Sequence, residues 1–346
     1  PLVSVITSCY RPDRGLVAAI ESLCRQTWRN LEMLVLDDGS GHDFDDLLHE
    51  VARLDPRVRV VRDGANRGTY ARRNQGLDLA RGRYITFQDA DDLSTPDRIR
   101  IHVETMEEHR GLAGTLSTCA KAEPSLRLTW PGYRSISANA QSLMVRASTV
   151  LPRLGYFHEV RRGADGEYIR RLRACFGDAA IGTVHTHPLM LYRRRPGSLS
   201  YGDFSPGRRA RRRWAYQELT DHQHRRVART SRYFMTRERA RSTEIGMVAS
   251  AGASPAPSPR TFDIAYVADL RDHNPELAAL RTEVEQAITR GLRVAVVQCD
   301  RPEQLSLHDG PPARWALDAV LDGRMSLLLE DSVALVTHLV VESAEA

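Results

Sequence analysis

Four short runs of β-favouring residues, at 2–7, 31–36, 58–62 and 84–87, are separated by three stretches with helical spacing. This alternation limits the fold more than any other feature of the chain. The first helical stretch, 16–25, places Leu16, Ala19, Ile20 and Leu23 on one face; the others cover 44–54 and 69–80, the last stopping near Gly82. A βαβαβαβ order predicts an α/β fold with a Rossmann-like, mostly parallel sheet and helices on both faces. In such sheets ligands gather at the carboxyl ends of the strands, where Asp37, Asp38, Asp89 and Asp91 all fall. Beyond Asp97 the spacing predicts helices at 98–108 and 164–176. Shorter strands are expected at 116–119, 126–129, 142–145, 180–184 and 189–192.

With 346 residues, the chain has room for more than one core. Residues 1–200 read as one domain, with the regular alternation in its first half at 1–97 and the looser pattern in its second half at 98–200. An Arg-rich helical extension follows at 201–248; from Ser205 to Arg241 twelve arginines face only Glu218, Asp221 and Glu238. The Ser-, Ala- and Pro-rich stretch at 249–260 reads as a linker. Residues 261–346 then hold a partial second α/β unit, with strands at 262–268 and 292–298 around a helix at 275–290. Segments 315–321 and 334–341 are its candidate extensions. Lys121 is the single lysine, so almost every cation is a guanidinium, a group suited to phosphate and carboxylate ligands. Genomic base composition gives the same excess, and the bias alone selects no ligand.

The stretch Y-I-T-F-Q-D-A-D-D-L-S-T-P at 84–96 sets Asp89, Asp91 and Asp92 within four positions after a strand. Carboxylates this close oppose one another's ionisation unless a cation intervenes. A hard divalent metal relieves that repulsion, binds phosphate oxygens and improves a diphosphate leaving group. The same residues also suit an acidic turn ahead of a helix near Pro96, with Ser94 or Thr95 as N-cap. On its own the cluster leaves both readings open.

Three further segments lie in order with it: V-S-V-I-T-S-C-Y at 3–10, Q-T-W-R-N-L-E-M-L-V-L-D-D-G-S at 26–40 and N-R-G-T-Y-A-R-R-N-Q-G-L-D-L-A-R-G at 66–82. Together with Y-I-T-F-Q-D-A-D-D the series resembles the nucleotide-sugar-binding half of the family 2 glycosyltransferases, which have the GT-A fold. The resemblance implies an inverting sugar transfer from a nucleotide diphosphate donor, commonly a UDP-sugar, with Mn²⁺ or Mg²⁺ as cofactor. It implies that Asp38 reads the base, that Ser8 lies near base and ribose, and that Asp89 lies near ribose or donor sugar. Asp91 is then the metal ligand, with Asp92 touching sugar or metal through water. Arg72 and Arg73 are carried over as donor-binding residues against the bland reading of a helix surface, while Asn66 and Gly68 shape the loop before them.

An inverting transfer needs a base for the acceptor hydroxyl. The family supplies an aspartate at the start of a helix beyond the acceptor strands, and G-A-D-G-E-Y-I-R-R-L at 163–172 matches it. Asp165 is the first candidate and Glu167 the second; Ala164 departs from the commoner E-D pairing, and a plain helix N-terminal carboxylate is the alternative. In H-T-H-P, neutral imidazole could add a metal ligand, with His187 the candidate; an ordinary half-buried histidine is the alternative for both His185 and His187. Arg193 to Arg195 and Ser198 to Ser200 lie where a loop could close over a diphosphate, and Trp130 and Tyr133 suit either sugar stacking or core packing. The expected acceptor is a glycan, a polyol phosphate or a lipid-linked sugar. The Arg-rich helices suit an anionic membrane surface, a phosphate-bearing acceptor or a partner domain, with a solvated face as the default. No nucleic-acid motif accompanies them, so no nucleic acid is expected.

A haloacid-dehalogenase phosphatase also places D-x-D after a strand, but wants Thr or Val where Leu93 stands. A sugar nucleotidyltransferase wants a Gly-rich, Lys-containing opening loop instead of T-S-C-Y-R-P-D. A non-catalytic nucleotide-sugar-binding domain of a larger polymerase is the remaining alternative. F-D-I-A-Y-V-A-D-L-R and G-L-R-V-A-V-V-Q loosely resemble the opening of a GT-B glycosyltransferase domain, which would make this chain part of a multidomain enzyme building a surface polysaccharide or teichoic-acid-like polymer. Five scattered cysteines without a C-x-x-C pair, no ~20-residue apolar run and no visible leader at Pro1 set the expectation of a cytoplasmic protein, at most peripheral on the inner membrane face.

Overall fold

The computed structural model describes residues 1–122, 135–184, 187–193, 204–205, 208–209, 211–228, 230, 232–241, 260–272, 274–299, 310–329 and 334–341. They fall into two compact units, Pro1–Arg208 with Val227–Arg241, and Arg209–Arg226 with Ser242–Ala346. The Arg-rich segment is therefore shared between the units. Trp130, Tyr133, His185, Arg194, Arg195, Ser198 to Ser200, the strand expected at 126–129 and the linker stretch 249–259 lie outside the described residues.

In the first unit β1 (Val3–Cys9), α1 (Arg14–Cys24), β2 (Leu31–Asp38), α2 (Asp45–Arg53), β3 (Val58–Asp63), α3 (Thr69–Leu79) and β4 (Tyr84–Asp89) follow the expected alternation. The two-residue β5 (Leu93–Ser94) leads to α4 (Arg98–Glu108). Then come β6 (Gly114–Ala122), β7 (Ile136–Arg146), α5 (Ala147–Leu154), α6 (Ala164–Phe176), β8 (Ile181–Val184) and β9 (Met190–Arg193). The sheet runs β3-β2-β1-β4-β7-β6-β9-β5, with β8 paired to β6. Its first four strands are mutually parallel; β7 then pairs antiparallel with both β4 and β6. Since β2 and β4 flank β1 on opposite sides, the chain reverses its direction of winding there, and the crevice of such a sheet opens at that point.

Helices cover both faces. Val3, Val5, Met33 and Val35 pack beneath Leu16, Ile20 and Leu23 of α1, Leu48 and Val51 of α2, and Ile99, Val103 and Met106 of α4. The opposite face takes α3, which approaches β1 so closely that a Cβ on Gly76 would lie 2.6 Å from Ile6 Cγ2. We expect Gly76→Ala to lower stability by about 1–2 kcal/mol in chemical denaturation, overpacking against buried Ile6 outweighing the ~1 kcal/mol gain in helix propensity. The eight-residue α5 was not anticipated: Pro152 sits inside it and Gly155 ends it, and both are residues that ordinarily mark a break.

A ribbon of β10 (Phe204–Ser205) and β11 (Arg208–Arg209) precedes α7 (Arg211–Ala228) and the short α8 (Arg237–Ala240). In the second unit β12 (Arg260–Ala268), β13 (Val294–Gln298), β14 (Ser326–Leu328) and β15 (Ala334–Val341) form a parallel sheet ordered β14-β13-β12-β15, with helices Leu277–Thr289 and Arg314–Leu321. There His222 and Arg226 of α7 bond Asp318 and Asp322. In the first unit Arg237 pairs with Asp78 and Arg241 with Glu159. Part of the arginine excess is thus committed to ion pairs within each unit. Among the described residues, no helix is long and apolar enough to cross a membrane.

Candidate active site

Strand register brings the sequence candidates together. Ser8 stands opposite Leu36 on one side and Asp89 on the other, and Cys9 stands opposite Asp37. Neighbouring strands are about 4.8 Å apart, so the D-D pair of β2, the tip of β1 and the first carboxylate of D-x-D-D share one sheet end. Burial, with Asp37 and Asp38 close by, pushes the Cys9 thiol up to about 12, which keeps it protonated and chemically quiet.

Asp38 is buried and organises the loop leading into α3. Its carboxylate accepts from the Arg67 N–H (2.8 Å), the Gly68 N–H (2.7 Å) and Arg72 Nε (2.8 Å). A carboxylate offers about four acceptor sites, so one remains for a ligand. Gly68, at φ 94°, adopts the left-handed backbone that this turn needs. Gly39 does so at φ 76°, and a Cβ there would meet the Ala65 carbonyl carbon at 2.9 Å. Asp37 works on the same turn, accepting from Ser40 and pairing with Arg62.

Arg72 is buried, not on a helix surface. Besides Asp38 it bonds Asp63, Gln75 and the Ala65 carbonyl, so every nitrogen of its guanidinium has a protein partner. Arg73 is buried as well. It donates to Asp89 Oδ1 at 2.6 Å and lies over the rings of Tyr70 and Phe87, at 5.4 and 5.2 Å.

The D-x-D-D turn is no helix cap. The N-cap position of α4 is Asp97, and Thr95 donates to its side chain, so neither Ser94 nor Thr95 serves as N-cap. Asp89 faces Arg73. Asp91 is half-buried, and its carbonyl accepts from Arg193. Asp92 is fully buried; Oδ1 accepts the Arg193 N–H at 3.1 Å, while Oδ2 has no hydrogen-bond partner among the described residues. Burial, with Asp89 and Asp91 adding repulsion, holds the Asp92 carboxyl well above the usual carboxylate range. Beneath the turn lies Arg98, which the sequence reading passed over. It is wholly buried and bonds Thr86, the Phe87 carbonyl, Gln88 and Ser94. Burial lowers it to about 10, with Asp92 and Asp89 favouring its charge, so it stays a cation at neutral pH. Its position ten residues beyond Gln88 gave no periodic signal.

An orphaned carboxylate oxygen and a half-buried neighbouring aspartate fit a hard cation. Yet among the described residues no three His, Cys, Asp or Glu side chains form a ready cage. This suits Mg²⁺ or Mn²⁺, which commonly rest on one or two carboxylates and take their remaining ligands from water and substrate phosphates. His187 precedes β9 and lies outside any strand; its half-exposed ring pairs with Asp97 at 3.3 Å.

The base candidates separate cleanly. Glu167 is fully buried and held by Arg171 at 2.9 Å, with His158 at 4.0 Å. Asp165 is half-buried in the first turn of α6, where Oδ1 accepts from the Tyr70 hydroxyl (3.0 Å) and the Gly166 N–H (2.9 Å). Tyr70, also missed from sequence, joins α3 to α6 across 95 positions.

Residues 4–169 match the family model described as glycosyl transferase family 2. A glycosyltransferase of Rickettsia felis is 41% identical over 107 residues, covering 31% of this chain and 17% of that protein. Glycosyltransferase GlyG of Streptococcus pneumoniae is 31% identical over 107 residues, covering 31% of this chain and 36% of its own. The chain thus spans well under half of either relative. The structure of S. aureus TarS 1–349 in complex with UDP-GlcNAc superposes with a TM-score of 0.49 at 15% identity, covering 67% of this chain and 66% of that one.

Proposed function

With residues 4–169 matching glycosyl transferase family 2, we propose that the first unit transfers a sugar, with inversion, from a nucleotide diphosphate donor to an acceptor hydroxyl. The single observation that carries this reading is the strand register, which sets Ser8, Asp38 and Asp89 at one end of three adjacent parallel strands. The family match supports a nucleotide-sugar donor, and a UDP-sugar is the donor we propose. A glycan, polyol phosphate or lipid-linked sugar remains our proposed acceptor.

In this reading the base and ribose lie along Ser8 and the loop that Asp38 and Arg72 hold, with Asp38 using its remaining acceptor site. Asp89, fixed by Arg73, meets the ribose or the sugar. Asp91 holds the Mn²⁺ or Mg²⁺, with Asp92 behind it; such a cation supplies charge neutralisation of the departing diphosphate. Asp165 receives the acceptor proton while that oxygen attacks the anomeric carbon and the carbon–oxygen bond to the diphosphate breaks. Glu167, spent on Arg171, is a structural residue of α6. His187 reaches the metal in our proposal only by leaving Asp97.

The test is a screen of UDP-, GDP- and dTDP-sugars with and without Mn²⁺, reading nucleotide diphosphate release and transfer. Metal-dependent release from one donor class is expected. Phosphate release from simple monoesters would point to a phosphatase, and saturable donor binding without turnover to a non-catalytic module.

A further inference from the structure

The bond between Tyr70 and Asp165 carries an inference that rests on the reading of Asp165 as base and deepens it. An aspartate in a first helical turn has two free torsions, and a general base must be held in line with the proton it takes. In this protein Oδ1 of Asp165 is tied twice, to the Tyr70 hydroxyl and to the Gly166 N–H. Among the described residues Oδ2 makes no hydrogen bond, so its lone pairs are the ones left for an acceptor hydroxyl. Tyr70 is itself locked: it is 6% exposed, its ring stacks on Phe157 at 5.9 Å, and Phe157 stacks in turn on Tyr168 of α6 at 4.1 Å.

One turn along α3, Arg73 lies over the Tyr70 ring and donates to Asp89. Residues three apart on a helix stand about 5–6 Å apart. A single rigid helix therefore holds a donor-side carboxylate with one side chain and the candidate base with another. We propose that Tyr70 is a positioning residue, fixing the Asp165 carboxylate relative to the donor site through its hydroxyl. Burial, with Asp165 adjacent, pushes the Tyr70 phenol above its ordinary range, so it stays a donor at any working pH. Tyr70 and Arg73 of α3 face Asp165 across the gap, and Glu167 of its own helix is paired with Arg171.

Tyr70→Phe keeps the ring and removes only the hydroxyl. With UDP-glucose or UDP-N-acetylglucosamine and Mn²⁺, water serving as acceptor, kcat should fall about 10- to 100-fold, the worth of one hydrogen bond to a charged group. The donor KM should stay within about twofold, since binding is not the step affected. Added to Asp165→Asn, the same substitution should cost nothing more, because both act through one carboxylate. Multiplicative losses, or a raised KM with kcat unchanged, would overturn the proposal. If Asp165→Asn alone transfers at the wild-type rate, the base reading has failed and takes the positioning role with it.

Discussion

Asp165→Asn is expected to bind donor as the wild type does and to lose transfer by a factor of about 10²–10⁴, the range that a positioned general base contributes. The substitution is close to isosteric. The amide oxygen can still accept from Tyr70 and from the Gly166 N–H, so the first turn of α6 keeps its local bonds. What disappears is the basic lone pair. The donor residues proposed above lie on β1, β2, β4 and α3, and among the described residues the hydrogen bonds of Asp38, Arg72, Arg73 and Asp89 do not involve Asp165. Donor affinity, measured by calorimetry with a UDP-sugar and Mn²⁺, should therefore change less than about twofold, and the whole effect should fall on kcat. An equal loss of affinity and rate would instead make Asp165 part of the donor pocket, and Glu167 could not replace it as base while both its oxygens serve Arg171.

Asp91→Ala should abolish the gain in donor affinity that Mn²⁺ confers, with transfer falling to background. Without a cation the acidic D-x-D-D turn repels a diphosphate, and deleting a carboxylate from it weakens that repulsion. Metal-free donor binding should therefore be unchanged or slightly tighter in the variant, while added Mn²⁺ no longer improves it. This opposite response separates a lost metal ligand from a damaged pocket, which would weaken binding in both conditions. The turn itself should survive, since its frame is Arg98 below and the Arg193 N–H on Asp92. A variant in which Mn²⁺ still tightened donor binding as in the wild type would falsify the assignment of Asp91.

Helices α3, α4 and α6 begin where the spacing predicts, at Thr69, Arg98 and Ala164. The parallel order of β1 to β4 follows from the same alternation, because right-handed crossovers leave few other arrangements. The second half was harder to read. Its strands are short, β7 pairs with both β4 and β6 across wide sequence gaps, and β6 shifts register between Thr115 and Ser117. Pairings of this kind depend on which edge is open once the first strands have assembled, and no local pattern encodes that.

The candidate site divides along the same line. D-D-G-S, N-R-G and D-A-D-D announced themselves because acidic residues and glycines at strand ends are conspicuous in a linear pattern. By itself the sequence determined the alternation of elements, the four motifs in order along it and the chemistry they suit, since these depend on neighbours close along the chain. Only the tertiary structure decided that Arg72 and Glu167 are spent inside the protein, that Arg98 lies under the carboxylates and that Tyr70 holds Asp165. Whether a charged side chain serves a ligand or another residue depends on partners brought within hydrogen-bonding distance from positions 95 and more residues away, and the free energy of burying a charge is set by how far those partners offset its desolvation.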